Sequence, residues 1–275
     1  MSIPFAPVSA TAYEQAMGRW SRLLAPPFIY FTGVRSGETV LDVGCGTGSL
    51  TFAIAEGVAD TAIVGIDTLA TSLDFARSIN PDPGRIAFEL ADACALPYSE
   101  SRFDRAVSAL VLNLVADAPQ AVREMVRVTK PGGTVAATLW DMRGGLPHFR
   151  MLFDIAAAVD EGATHWRNGF LSAPGVRPGA LVELWYDAGL TDVEETSLTV
   201  RIQFQAFADL WEPATNAPLI GSYLRTLPET VRQLIRDKVA SAYLCGDPDG
   251  PRSFAATAWA VKGLVPVARD GKLTS

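Results

Sequence analysis

Residues 40–48 read Val-Leu-Asp-Val-Gly-Cys-Gly-Thr-Gly, and the reading of this stretch decides the fold. A short apolar run gives way to alternating glycines and then to a helix-like segment over 49–56. This is the sequence form of a buried strand, a tight turn and a helix N-terminus. Glycine suits the turn because the missing Cβ permits positive φ and lets the backbone come close to a ligand, while the helix start presents unpaired N–H groups. Such a turn serves nucleotide-like ligands in general.

The glycine spacing narrows the ligand. A dinucleotide fingerprint wants glycines at relative positions one, three and six. Gly44 and Gly46 fit, but the sixth place is Ser49, the extra glycine is Gly48, and Asp42 stands just ahead of the turn. This arrangement resembles the first motif of the class I S-adenosylmethionine-dependent methyltransferases, specifically the small-molecule enzymes of the ubiquinone/menaquinone-methyltransferase-like superfamily. The resemblance implies that Asp42 and the backbone of Gly44, Cys45 and Gly46 face the methionine end of the cofactor.

Working outward, residues 62–66 form a second apolar run that ends in Asp67, with Thr68 beside it. An acid roughly 20 residues beyond such glycines, at the carboxyl end of a strand, is placed to accept hydrogen bonds from ribose hydroxyls. A helix over 69–79 stops at an Asn-Pro-Asp-Pro-Gly turn, and 86–90 reads as a third strand followed by Ala-Asp-Ala-Cys. The resemblance implies that Asp92 receives the exocyclic amine of adenine, which a carboxylate suits because it only accepts, and that the Ala93 backbone meets a ring nitrogen. Residues 105–114 are nearly all apolar, as in a central strand running into a loop, and the resemblance puts Ala109 on the methionine portion. A helix over 119–128 is closed by Lys130-Pro131-Gly132-Gly133 before a strand over 134–140. The likeness therefore touches four separated places between about residues 40 and 141.

Ahead of the first strand, 13–31 carries Met17, Trp20, Leu23, Leu24 and Phe28 at near-helical spacing, predicting an amphipathic helix that ends near Pro26 and Pro27. One reading packs it on the sheet edge. The other follows from Tyr-Glu-x-x-Met-Gly-Arg-Trp-Ser, which resembles the leading helix of a subgroup of small-molecule methyltransferases and implies that Tyr13, Arg19 and Trp20 sit over the cofactor.

After Trp140 the alternation of strands and helices lapses. The pattern predicts a helix over 146–159, a loop over 164–179, a helix over 181–188, strands over 193–204 and 254–265, and two or three helices over 206–242. The expected fold is α/β, a Rossmann-like, mostly parallel sheet with an antiparallel last strand, helices on both faces and a helical lid. In domain terms, 1–35 is a cap helix, 36–142, 178–204 and 253–268 form the core, and 143–177 and 205–252 are lid insertions.

Composition bounds the function. With 275 residues, 49% hydrophobic and 19% charged, the chain buries a sizeable core. Its net charge of -7 repels phosphate backbones, which argues against nucleic acid as partner. Cys45, Cys94 and Cys245 are odd in number and far apart, which argues against a disulfide framework and suits a reducing cytoplasm. No apolar run approaches a membrane span, and residues at the N-terminus do not pair a basic region with an apolar core, so a soluble, unexported protein is the expectation. No clustered Cys/His set suggests a metal. A small organic acceptor is the expected partner, since no Asn-Pro-Pro-Tyr-like segment follows the fourth strand and no Pro-Cys pair offers a carbon-methylating nucleophile. The two histidines, His148 and His165, fall in the insert after the fifth strand and are the candidate bases, each with the alternative of a loop or surface role. Two rival functions stand beside methyl transfer: an adenosyl-cofactor-binding protein without catalysis, and a nicotinamide-dependent oxidoreductase, which Ser49 disfavours.

Overall fold

A computed structural model describes residues 18–172, 175–216 and 220–267. The apolar runs of the first half become five strands joined by helices: α1 (Arg19–Thr32), β1 (Thr39–Val43), α2 (Ser49–Gly57), β2 (Ala62–Asp67), α3 (Ala70–Ser78), β3 (Ile86–Leu90), β4 (Phe103–Ala109), α4 (Ala118–Val128) and β5 (Thr129–Trp140). The second half adds α5 (Pro147–Val159), α6 (Gly162–Leu171), α7 (Ala180–Asp187), β6 (Thr191–Phe204), α8 (Phe207–Asn216), α9 (Ile220–Leu224), α10 (Glu229–Leu244) and β7 (Arg252–Leu264).

All seven strands share one sheet in the order β3-β2-β1-β4-β5-β7-β6. β1 to β5 run parallel, and β7, last in the chain, inserts antiparallel between β5 and β6. Near-continuous burial of β1 and β4 fits strands covered on both faces. One face carries the core of Phe28, Ile54, Leu73 and Phe88 under α1, α2 and α3, and the other carries Val122, Met125, Leu181 and Trp185 under α4 and α7. A further apolar cluster joins Trp20 and Leu24 of α1 to α5, α6, α8, α9 and α10. Among the described residues, no helix is long and apolar enough to cross a membrane.

Three local expectations are corrected. α1 does not end near Pro26 and Pro27 but runs through them to Thr32. The prolines deprive the Arg22 and Leu23 carbonyls of their helical donors, yet both residues lie on the exposed side, while Leu24, Ala25 and Phe28 are fully buried. Packing therefore outweighs two lost hydrogen bonds. Residues 164–171, expected in a loop, belong to α6, whose Ala163 and Phe170 are buried in that further apolar cluster. The Lys-Pro-Gly-Gly turn lies inside β5 as an irregularity, where pairing with β4 shifts register between Phe103 and Arg105. Gly133 is required there because a Cβ would stand 2.6 Å from the Asp104 carbonyl oxygen.

Candidate functional site

The strand order reverses between β1 and β4, because β2 and β3 lie to one side of β1 and β4, β5 to the other. In open α/β sheets the crevice beyond the carboxyl ends at this point receives ligands. The glycine turn leaves β1 here and the Ala109 segment leaves β4. Asp42, Gly44, Cys45 and Gly46 from the first, and Ala109, Leu110 and Val111 from the second, line a single cleft. Thr138 of β5 and residues of α1 line it as well.

The turn has the conformation its glycines were read for. Gly44, Gly46 and Gly48 adopt φ of 75°, 53° and 91°. At Gly44 a Cβ would stand 2.5 Å from the Val111 methyls, so any side chain would fill the space between the two loops. The Gly44 and Cys45 N–H groups both donate to the Ile66 carbonyl at 2.8 Å, which pins the turn to β2. The Cys45 thiol is buried, and burial holds it protonated well above the ordinary thiol range.

Asp67 sits at the end of β2 and bridges two segments. One carboxylate oxygen accepts from the Gly46 N–H at 2.9 Å and the other from the Leu69 N–H at 2.8 Å, at the entry to α3. Each oxygen keeps a lone pair for a further donor. Thr68, the next residue, is exposed. The Ala91 N–H donates to the Asp67 carbonyl at 3.1 Å, which brings the loop after β3 alongside. In that loop Asp92 is exposed, its side chain accepting from the Cys94 N–H at 2.9 Å, and Ala93 is buried.

Asp42 is the electrostatic oddity of the cleft. Only 1% exposed, it accepts from the Thr51 hydroxyl on Oδ2 at 2.6 Å, while the buried Oδ1 has no partner. Burial drives its pKa up to about 7; the Thr51 bond opposes the shift and the nearby Asp67 charge adds to it. A desolvated acceptor facing a cleft is a site for a cationic or N–H donor.

The α1 assignments change. Tyr13 lies outside the described residues. Arg19 turns away from the cleft, its guanidinium donating to the Asp209 carboxylate at 2.7 Å and lying over the Trp20 and Phe204 rings. Trp20 is buried in the apolar cluster that α1 shares with α5, α6, α8, α9 and α10. The residues of α1 that do line the cleft are Ser21, Leu24, Ala25 and Phe28. Their i, i+3, i+4, i+7 spacing was the available signal, one position on from Trp20. Leu110 was missed for a different reason. It holds φ of 65° while donating to the Thr138 carbonyl at 2.7 Å, a left-handed conformation that a leucine does not advertise.

The histidines lie in different surroundings. His165 is exposed on α6. His148 on α5 is 2% exposed, ringed by Trp20 at 5.1 Å, Phe149 at 4.6 Å and Phe204 at 5.5 Å between centroids. Burial, helped by the Arg19 charge, lowers its pKa to about 3. The imidazole is therefore uncharged near neutral pH in this surrounding.

Comparisons with known proteins bear on the family and the fold. A family model described as "Methyltransferase domain" matches residues 34–173. Methyltransferase GfsG of Streptomyces halstedii is 37% identical over 132 residues, covering 47% of this chain and 45% of that protein. A demethylmenaquinone methyltransferase of Symbiobacterium thermophilum is 34% identical over 128 residues, covering 44% of this chain and 51% of that one. The chain thus spans about half the length of these curated relatives. Among solved structures, Haemonchus contortus phosphoethanolamine N-methyltransferase 2, in complex with S-adenosyl-L-methionine, superposes with a TM-score of 0.60 at 16% identity, covering 94% of this chain and 57% of that chain.

Proposed function

The chain belongs to the methyltransferase-domain family of S-adenosylmethionine-dependent enzymes, and on that premise we propose that it methylates a small organic acceptor held under the inserted helices. The observation that carries this reading is the partnerless Oδ1 of Asp42 in a cleft whose lining residue Gly46 donates its N–H to the Asp67 carboxylate. A cofactor with an ammonium at one end and ribose hydroxyls further along offers donors to both carboxylates. The Gly44 turn leaves the backbone room for it. Asp92 and the Ala93 backbone, beside Asp67, are assigned to the adenine, and Ala109 to the methionine portion.

When bound, S-adenosylmethionine supplies a sulfonium-activated methyl group, which passes to the acceptor by in-line displacement. The chain's own task is then mainly to align the acceptor and exclude water. Cleft and lid cluster share Leu24, and Leu110 packs against that cluster, so the acceptor side is the apolar side. His148 is assigned a hydrogen bond to the acceptor rather than storage of its proton, and His165, exposed, exchange of a proton with water. The names of two relatives point to demethylmenaquinone and phosphoethanolamine as acceptors of those proteins, chemically unlike one another.

Calorimetric titration with S-adenosylhomocysteine tests the cofactor half. Binding in the micromolar range is expected, and no heat at saturating concentrations would sink the reading. Screening acceptors for production of S-adenosylhomocysteine tests the other half, with His148→Ala and His165→Ala expected to slow turnover at unchanged cofactor affinity.

A further inference from the structure

The sheet ends on an edge that nothing pairs. β6 is its last strand, 14 residues long, and among the described residues it is hydrogen-bonded to β7 alone, so its outward N–H and C=O groups have no strand beside them. Proteins commonly protect such an edge with proline, lysine, a bulge or brevity. The bulge of β6 lies at its N-terminal end, between Thr191 and Glu194. From Glu194 to Phe204 the strand keeps an unbroken register and contains neither proline nor lysine. A long, regular edge of this kind is a template for a further strand.

The side chains of the edge name the partner. Glu195 and Arg201 stand on the exposed face, three residues either side of Leu198, whereas Thr196, Leu198 and Val200 are half-buried on the other face. The neighbouring Glu194 is taken by Lys262 at 3.2 Å, but Glu195 and Arg201 have no ion-pair partner among the described residues. When two copies of one strand pair antiparallel about a two-fold axis normal to the sheet, residues equidistant from the axis face each other, and the axis passes through a residue so that facing side chains share a face. With the axis at Leu198, Glu195 of one copy faces Arg201 of the other, and the symmetry makes this pair twice. Moving the axis to Ser197 or Thr199 sets Glu195 against Thr199 or Gln203 instead. A second observation lies beside the edge. Trp20 of α1 meets Phe204 of β6 at 5.7 Å and Phe31 meets Lys262 of β7 at 4.9 Å, so that side of the helix faces the last two strands. Leu23 and Tyr30 occupy the next stripe outward and are 46% and 90% exposed. They extend the apolar surface that a second sheet would cover.

We propose that β6 is the interface between two copies of this chain, joined antiparallel about a two-fold axis at Leu198 so that their sheets run on as one. Backbone hydrogen bonds and the meeting of the two Leu198 side chains supply the affinity. The two Glu195–Arg201 pairs fix the register, since exposed ion pairs contribute more to specificity than to strength. This inference does not depend on the cofactor or the acceptor.

Sedimentation equilibrium of the full chain tests it. Wild type should show a mass that rises with concentration to twice that of one chain. Arg201→Glu sets acid against acid at both pairs and should raise the dimer dissociation constant about tenfold or more. Glu195→Arg sets base against base and should do the same, whereas the two substitutions combined restore opposite charges and should return the constant to the wild-type value. Circular dichroism checks that each variant is folded. Hydrogen exchange on wild type needs no variant: the alternate β6 amides turned away from β7 should gain protection as concentration rises through the dissociation constant. A wild type that stays monomeric, outward β6 amides equally protected at every concentration because another part of the chain covers them, a dimer indifferent to the single reversals, or a folded double variant that stays monomeric overturns the proposal.

Discussion

Asp42 lines the cleft, Asp67 holds its Gly46 turn from the end of β2, and the two carboxylates do different work. Asp67 is engaged by the Gly46 and Leu69 N–H groups, so it holds the turn as well as offering lone pairs to a ligand. Asp67→Ala should weaken S-adenosylhomocysteine binding by about 1–3 kcal/mol by calorimetry, the cost of leaving buried donors unanswered. Asp42 is strained electrostatically instead, because its folded pKa of about 7 is raised above the usual carboxyl value, chiefly by burial. The folded state therefore binds a proton more tightly than the unfolded chain, so stability contributed by the protonated form falls as pH rises from about 4 to about 7 and levels off above that. A bound cofactor ammonium favours the ionised form, so cofactor affinity should rise over the upper part of the same range. In Asp42→Asn both slopes should flatten, as urea unfolding and titration at a series of pH values would reveal.

At the scale of elements, two contacts tie the frame together. Arg105 on β4 donates to the Thr32 carbonyl at the end of α1 at 2.6 Å, to the Thr134 hydroxyl on β5 at 2.8 Å and to Glu38 before β1 at 3.0 Å. Its side chain is 10% exposed and that of Glu38 19%, so removing one partner strands a mostly desolvated charge. Arg105→Ala should cost about 3–5 kcal/mol in urea unfolding. The Arg19–Asp209 pair, which joins α1 to α8, is more open at 29% and 27% exposure. Asp209→Ala should therefore cost less than about 1 kcal/mol globally, while hydrogen exchange in α8 should quicken as that helix loses its tie to α1. The phase of α1 was legible as a 3.6-residue stripe. Which neighbour of that stripe meets the cleft was not, because Trp20 and Ser21 differ by only one position and the choice is made by what α5 and α8 press against the helix.

For the whole molecule, the cleft forms where the sheet's winding reverses, and its two walls come from segments about 65 residues apart, as the Ser108 hydroxyl bond to the Val43 carbonyl illustrates. A ligand that bridges them stabilises the folded chain by mass action. S-adenosylhomocysteine at about a hundred times its dissociation constant should add about 2.7 kcal/mol, or roughly 5–10 °C in melting temperature for a chain of this size. A melting temperature indifferent to the ligand would show that the folded chain does not bind it.

The sequence alone determined the strand–turn–helix at residues 40–57, the acids that end β2 and follow β3, and the mostly parallel sheet, because these depend on local spacing of glycine, acid and apolar runs. Only the tertiary structure decided that Arg19 pairs with Asp209, that Leu110 takes a left-handed turn, and that His148 lies uncharged among aromatic rings. Those outcomes depend on which surfaces exclude water from one another, and water exclusion between segments far apart in the chain leaves no periodic mark on either segment.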